Sequence, residues 1–229
     1  MKRISVLSLS ILSLVSVKAD ALTIIDSSTR NGSFENPTAT GSQNSADFWS
    51  FGFNSDQFER LDNDGNTPDG DYTAVIGTNN GGTAHTGAYQ NTGYIVSAGD
   101  SFSLSFDWGA AYNWEASDDL NWRLFTTSDN TSGGTISEIA SGAVTGKNSS
   151  TLPLSNWTTE NVLIEGGTII GANIGQQLFV EFYEADQGNN QFARLDKVVL
   201  SVVPEPGNFA LIAGSIALLT IMIRRRTAA

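Results

Sequence analysis

The sequence predicts an all-β protein whose folded part is one antiparallel β-sandwich. Two observations lead to this prediction: short runs of alternating apolar and polar residues recur through residues 22–202, and Gly, Asn, Asp and Ser separate them. No part of that region shows sustained helical periodicity, and no internal repeat or linker divides it. Short strands separated by glycine-rich turns are typical of sandwiches and barrels. We therefore predict a single sandwich domain over residues 22–202.

The clearest predicted strand begins at Phe102 and ends at Trp108, and every second residue in it is apolar. A period of two places its four apolar side chains on one buried face: Phe102, Leu104, Phe106 and Trp108. Trp122 lies on the apolar side of a similar run, so both tryptophans are predicted core residues. The remaining predicted strands are Tyr72–Ile76, Asn121–Phe125, Val162–Ile164, Leu178–Tyr183 and Leu195–Val202.

Composition excludes some classes of site and partner. The 229 residues contain no cysteine, so neither a disulfide nor a thiolate metal site is available and the core must hold the fold alone. Without residues 1–21 and the three arginines near the C-terminus, 6 basic and 23 acidic side chains remain. Nucleic acid is therefore excluded as a partner, because phosphate contacts need clustered Lys and Arg.

Residues 1–21 have the features of a secretory signal peptide. Two basic residues precede an apolar stretch from Ile4 to Val17, which is too short to span a membrane. Ala19 and Ala21 then place small residues where signal peptidase reads the chain. We predict export by the secretion machinery, with cleavage by signal peptidase after Ala21.

The C-terminal tail, residues 203–229, contains an uncharged run from Gly207 to Ile223. As a helix it would be roughly 25 Å long, a minimal transmembrane span for a hydrocarbon core about 30 Å thick. A basic triplet follows the run: Arg224, Arg225 and Arg226. By the positive-inside rule this triplet faces the cytoplasm, so the sandwich lies outside it. The alternative, a buried helix of a soluble domain, does not explain the triplet.

A stiff segment precedes this span. Pro204 and Pro206 each fix their own φ and push the preceding residue away from the helical region. Glu205 is therefore presented on an extended segment that a processing enzyme could bind through its backbone. Pro-Glu-Pro, a short apolar span and an arginine cluster, in this order at the C-terminus, resemble the PEP-CTERM sorting signal. The resemblance implies recognition by an exosortase, a membrane-embedded protease or transpeptidase of bacteria that make exopolysaccharide.

Two motifs at the ends of the sandwich resemble those of galactose-binding-like jelly rolls, a fold found among carbohydrate-binding modules. They are Asn31–Pro37 (Asn-Gly-Ser-Phe-Glu-Asn-Pro) and Ala193–Val198 (Ala-Arg-Leu-Asp-Lys-Val). The resemblance implies that the two ends meet and that Glu35 and Asp196 help to hold a structural calcium ion. Calcium prefers carboxylate and carbonyl oxygens. In the alternative, these two residues cap a turn or pair with Arg194.

A second acidic segment, from Asp62 to Asp71, contains weaker metal candidates: Asp62, Asp64, Asp69 and Asp71. The segment lacks the register of an EF-hand. With Gly65 at the sixth position, Arg60 would be the first ligand and the twelfth would not be Glu. A solvated turn is the favoured alternative, since Asn, Asp and Gly favour turns.

Aromatic residues outside the predicted strands are candidates for glycan contact, and we nominate Trp49, Tyr112 and Trp114. Catalytic residues are not evident: the sole histidine, His85, lies in a loop rich in Gly and Thr, and no Gly-x-Ser-x-Gly motif is present. Abundant acids alone do not define a hydrolytic pair, which depends on the separation of the carboxylates.

Together these patterns predict an exported bacterial envelope protein. Its precursor is held in the inner membrane with the sandwich outside the cytoplasm, and processing by an exosortase delivers it to the cell surface or matrix. We expect a non-enzymatic, structural or glycan-interacting role in the exopolysaccharide matrix, with polysaccharide as a partner. The alternative is a secreted hydrolase acting on polysaccharide.

Overall fold

The computed structural model describes residues 21–36, 46–51, 59–62, 67–78, 86–152, 156–184 and 191–203. They belong to one compact unit that spans Ala21–Val203. Within the described ranges there are eleven strands, a single 3-10 turn at Gly166–Thr168 and no α-helix. The strands are β1 (Leu22–Ile25), β2 (Ser50–Phe51), β3 (Glu59–Asp62), β4 (Tyr72–Thr78), β5 (Thr86–Ile95), β6 (Ser101–Ala110), β7 (Leu120–Thr127), β8 (Ile136–Val144), β9 (Thr158–Ile164), β10 (Gln177–Glu184) and β11 (Gln191–Val203).

The strands form two antiparallel sheets. Sheet 1 has the order β3-β4-β11-β6-β9, and β1 pairs with β11 outside this path. Sheet 2 has the order β2-β5-β10-β7-β8. Each of the six predicted runs lies within one of these strands. The structure therefore confirms the predicted fold class, an antiparallel, jelly-roll-like β-sandwich.

The core lies between the sheets, where period-two alternation places it. The four apolar side chains of β6 are buried, and Phe106 meets Phe182 of β10 edge-on with ring centroids 4.9 Å apart. Trp122 and Leu124 of β7 belong to the same cluster. Burying each such side chain contributes about 1.5–3 kcal/mol, and the core must suffice without disulfides.

The two ends of the described unit meet at β11, as the jelly-roll resemblance implies. Leu22 of β1 pairs with Val202, and the N–H of Val198 donates to the carbonyl oxygen of Gly32 at 2.8 Å. A Cβ atom at position 32 would lie 2.2 Å from the Val198 carbonyl oxygen. Gly32 is therefore required for this close approach of the segment after β1 to the last strand.

Candidate functional site

The outer face of sheet 2 carries side chains that the core does not explain. In β10, Val180 and Phe182 belong to the main core, so Phe179, Glu181 and Tyr183 lie on the opposite side. The strand register aligns them with outward residues of the neighbouring strands. We call this set the sheet 2 face: Tyr89, Asn121, Arg123, Phe125, Glu138, Ser141, Phe179, Glu181 and Tyr183.

An ion pair lies at the centre of the sheet 2 face. Arg123 donates from Nε to Oε2 of Glu181 at 2.6 Å, and its Nη2 lies 2.5 Å from the same oxygen. The side chain of Glu181 has no exposed surface, whereas that of Arg123 is 13% exposed. The guanidinium carbon is 4.8 Å from the ring centroid of Phe125 and 5.4 Å from that of Tyr183. The cation is thus held between two rings and the carboxylate.

Aromatic rings surround this pair at two depths. Phe125 and Phe179 are buried and stack with ring centroids 5.2 Å apart, which forms the floor of the face. Tyr89 packs against Phe179 at 6.4 Å and, like Tyr183, is partly exposed. Burial raises the pKa of the Tyr183 hydroxyl, and the positive charge of Arg123 opposes that rise. Both tyrosines therefore offer a ring and a hydroxyl group beside the central ion pair.

Polar groups continue the sheet 2 face towards β8. The hydroxyl of Ser141, the cross-strand neighbour of Arg123, donates to Oε1 of Glu138 at 2.7 Å. Both side chains are exposed. The carboxylate of Glu138 raises the pKa of Tyr183, so these two groups are close enough to interact. The face thus combines carboxylate, guanidinium, hydroxyl and ring surfaces, the polar and aromatic mixture that fixes the orientation of a bound ligand.

The structure corrects two of the three predicted glycan contacts. Trp49 is buried against Phe34 at a centroid distance of 5.0 Å, and its indole N–H donates to the backbone oxygen of Asn31 at 3.0 Å. Trp114 is also fully buried in the main core. A sugar cannot stack on a ring that has no exposed face. Tyr112 is 50% exposed and packs edge-on against Phe192 of β11, a strand of sheet 1.

The predicted metal residues Glu35 and Asp196 lie against the same turn. Oε1 of Glu35 accepts hydrogen bonds from the N–H groups of Asp71 and Tyr72, at 2.9 and 2.8 Å. Oδ2 of Asp196 accepts from the N–H of Asp69 at 3.1 Å. The resemblance predicted that Glu35 and Asp196 lie close together, and in the fold both contact the turn at Asp69–Tyr72. Their observed contacts are those of the turn-capping alternative.

Asp196 is the more unusual of the two because it has no exposed surface. Burial raises its pKa to about 8, and the carboxylates of Asp69 and Glu35 add to the rise. Backbone donors at Lys197 and Asp69 oppose it. A hard cation would relieve this repulsion, so the donor chemistry fits calcium. Calcium binding stays a prediction.

Side chains alone do not complete a calcium site here. Among the described residues, no three or more Asp, Glu, His or Cys side chains form a group able to hold a metal ion. Backbone carbonyl oxygens would have to supply the remaining ligands. Of the weaker candidates, Asp69 and Asp71 contribute backbone donors to the turn. Asp62 lies in β3, where only its backbone is described, and Asp64 lies outside the described residues.

Several predicted features fall outside the described ranges: the signal peptide, His85, the Pro204–Pro206 motif, the 207–223 span and the Arg224–Arg226 triplet. In the part of the chain that the structure describes, no helix is long and apolar enough to cross a membrane. Export, sorting and membrane attachment therefore rest on the sequence.

Sequence reasoning missed the sheet 2 face. Its available signal was the Leu178–Tyr183 run, whose outward positions are Phe179, Glu181 and Tyr183. Two aromatic residues on the side of a strand opposite the core indicate a contact surface, because a face that only meets water is usually polar. The partner Arg123 could not be assigned, since only the strand register places it opposite Glu181.

No protein-family model and no curated protein sequence matches the chain. Among solved structures, it is similar to a Stig cyclase from Fischerella sp. TAU in complex with an indole compound. The TM-score is 0.60 at 15% identity, over 81% of this chain and 99% of the cyclase. An arabinose-bound α-L-arabinofuranosidase gives a TM-score of 0.54 at 15% identity, over 82% of this chain. The match spans 27% of that enzyme. These likenesses show the fold.

A xylan-binding domain from Paenibacillus barcinonensis gives a TM-score of 0.48 at 11% identity, over 81% of this chain and 97% of that domain. Fold alone does not select a function, which depends on the side chains of a site.

Proposed function

We propose that this chain is an exported envelope protein that binds polysaccharide on the sheet 2 face. The observation that carries the proposal is the Arg123–Glu181 ion pair set between two partly exposed tyrosines, Tyr89 and Tyr183. A sugar ring presents vicinal hydroxyl groups at its edge and C–H groups on its faces. The partly exposed guanidinium of Arg123 can donate charge-assisted hydrogen bonds to the hydroxyls, and tyrosine rings can pack on the C–H faces.

The position of these groups favours an extended ligand. The row Tyr89, Glu181, Arg123 and Ser141 crosses four adjacent strands, β5, β10, β7 and β8. Neighbouring strands lie about 4.8 Å apart, so the row spans roughly 14 Å. That length suits a short run of consecutive sugar units better than a single sugar. An acidic protein also suits neutral polysaccharide better than an anionic polymer, because like charges repel.

Binding fits this geometry better than hydrolysis. A glycosidase places two carboxyl groups on either side of the scissile bond, one of them as a proton donor. Glu181 is ion-paired with Arg123 and has no exposed surface, so it cannot pass a proton to a ligand. Its role in binding is to hold the partly exposed guanidinium of Arg123 in place. A hydrolase is the competing function, and it is distinguished by turnover.

The test is a pull-down on insoluble and soluble exopolysaccharides, with and without calcium, beside an activity screen on the same polymers. We expect saturable retention without release of reducing ends. Two variants of the sheet 2 face are compared in the same pull-down. Tyr183→Ala removes a ring beside the ion pair and should weaken retention, whereas Glu138→Gln, on the exposed edge of the face, should weaken it less. Release of sugar without stoichiometric binding would reject the proposal in favour of a hydrolase.

The tail supports sorting by an exosortase from the inner membrane. Replacing Pro204 and Pro206 with Ala removes the two fixed φ angles and should leave the full-length precursor in the inner membrane. Cell fractionation measures this, and replacing Pro37, a proline outside the tail, is the control. The intact mass of the mature protein recovered outside the cell gives both cleavage points. Normal release of the tail variant would reject the sorting role.

A further inference from the structure

Val203, the last residue of β11, lies at one end of the sandwich, together with several loops. Val203 pairs with Ser101, the first residue of β6, and Leu22 pairs with Val202. In sheet 2, Ile95 of β5 pairs with Gln177 at the start of β10. We call this the exit end: Leu22, Ile95, Val203, the 96–100 loop, the 128–135 turn and the 165–176 loop.

Exposed apolar side chains collect at the exit end. Leu22 is 59% exposed, Ile95 48%, Ile170 56% and Ile174 44%. Among the other large exposed apolar residues described, Tyr112 and Leu152 lie at the opposite end. Leu163, which is 62% exposed, lies in β9 close to the 165–176 loop. Single exposed apolar residues need no explanation, but four at one end of a sandwich indicate a contact surface.

The 165–176 loop is fixed in a way that keeps its isoleucines outward. Asn173 is fully buried and donates from Nδ2 to Oγ1 of Thr126 at 3.1 Å and to the backbone oxygen of Ser137 at 3.0 Å. Its Oδ1 accepts from the N–H of Ile170 at 3.0 Å. A buried amide thus anchors the loop to β7 and β8. Because it is anchored, Ile170 and Ile174 are presented to the surroundings without a further ordering cost.

Backbone hydrogen bonds connect this loop to its neighbour. The N–H of Val96 donates to the carbonyl oxygen of Gln176 at 2.9 Å, and the N–H of Gly175 donates back to Val96 at 2.8 Å. Ile95 and Ile174 are therefore held on neighbouring, hydrogen-bonded segments. The apolar residues form part of one preorganised surface.

The sequence limits how far this surface can be from a bilayer. Only Pro204, Glu205 and Pro206 separate Val203 from the apolar run that begins at Gly207. Fully extended, that connection covers at most about 14 Å. The headgroup layer on each side of the hydrocarbon core is roughly 5–8 Å thick. If residues 207–223 span a membrane, as proposed above, the exit end reaches the lipid interface.

We propose that the exit end docks on the lipid bilayer, with Ile170 and Ile174 inserted among the headgroups, while the precursor is tethered. This inference rests on the proposed membrane tether. The exit-end segments 96–100, 128–135 and 165–176 contain no Lys or Arg and include Asp100, Asp129 and Glu165. Attraction to anionic lipid therefore does not drive the contact. Docking depends on apolar insertion, and salt does not weaken it, because salt screens the repulsion between these carboxylates and anionic lipid.

The absence of cysteine makes the test direct, because a single introduced cysteine carries a fluorophore without interference. Full-length chains with Ile170→Cys or Ile174→Cys are labelled and reconstituted in vesicles of phosphatidylethanolamine and phosphatidylglycerol with brominated acyl chains. Leu152→Cys, at the opposite end, is the matched control. Protease protection of the tail shows, in the same vesicles, whether the span is inserted.

We expect several-fold stronger quenching at positions 170 and 174 than at position 152, and no loss of this difference at high salt. A label at Ile95→Cys should lose its quenching when Ile170 and Ile174 are both replaced with Asp. Equal, weak quenching at both ends with a protected tail would overturn the docking surface and leave the tether intact. A cleavable, unprotected tail would reject the tether and the docking surface together. Fluorescence changes that follow protein concentration without lipid quenching would assign the surface to a second copy of the chain.

Discussion

Glu181 of β10 and Asp196 of β11 are both carboxylates without exposed surface, each on the side of its strand opposite the core. Glu181 is paired with a cation, Arg123, from the adjacent strand. Asp196 instead accepts backbone hydrogen bonds and lies near two further carboxylates, which raise its pKa together with burial.

The comparison separates two uses of a buried acid. On sheet 2 the charge of Glu181 is balanced inside the protein, so the buried carboxylate holds the partly exposed guanidinium of Arg123 in a fixed position for a ligand. On sheet 1 the charge is unbalanced and is relieved by a proton or by a bound cation. The first arrangement suits recognition, and the second suits a structural joint between the two chain ends.

The largest expected effect is on the balanced pair. Glu181→Ala should lower the free energy of unfolding by about 3–5 kcal/mol, because it leaves the partly buried Arg123 without its counter-ion. Urea unfolding measures this. The double variant Arg123→Met with Glu181→Leu should recover most of the loss, since neither charge remains. A single-variant cost below about 1 kcal/mol would show that the pair is weakly coupled.

The unbalanced acid should make stability depend on pH in calcium-free buffer. The pKa of Asp196 is about 8 in the folded protein and has an ordinary value of 3.8. The unfolded chain therefore releases this proton first, so the contribution of Asp196 to stability is fully present below pH 4 and is lost as the pH rises through 8. The loss between pH 5 and 7 should be about 3 kcal/mol. Asp196→Asn, which cannot ionise, should remove this component, and an identical profile for both proteins would contradict the assignment.

Calcium should raise the thermal stability of the fold through the sheet 1 carboxylates. If it binds at Glu35 and Asp196, a concentration about 100 times its Kd stabilises the fold by about 2.7 kcal/mol. For a domain of this size that raises Tm by roughly 5–10 °C. A chelator should reverse the gain, and Asp196→Ala should be insensitive to chelator. Magnesium at the same ionic strength is the control, and an unchanged melt with calcium would leave only the turn-capping role.

The sequence predicted those strands that contain a local run or alternation of apolar residues. In β6 the alternation is complete, so its buried face was assigned residue by residue. β5 was missed because Thr86–Ile95 is polar and contains Gly87 and Gly93. It is a strand because β2 and β10 pair with its two edges, a long-range effect that local pattern does not contain.

The candidate site residues were harder to predict than the strands, because their burial and partners also depend on long-range contacts. The meeting of Glu35 and Asp196 was predicted through a resemblance at the two chain ends, and the fold places both against one turn. Trp49 was assigned wrongly because its burial depends on Phe34 and on a hydrogen bond to Asn31. A tryptophan in a polar segment gives no local sign of such partners, so its exposure could be learned only from the fold.

The most direct test of polysaccharide binding on the sheet 2 face compares Tyr183, a partly exposed residue of that face, with Tyr112, which lies outside it. Titration calorimetry with the retained polysaccharide should show that Tyr183→Ala weakens binding by about tenfold or more, since a ring at the centre of the face is lost. Tyr112→Ala, which removes a half-exposed ring outside the sheet 2 face, should leave the affinity unchanged. Loss of binding in Tyr112→Ala, with Tyr183→Ala unaffected, would contradict the claim that the sheet 2 face holds the polymer.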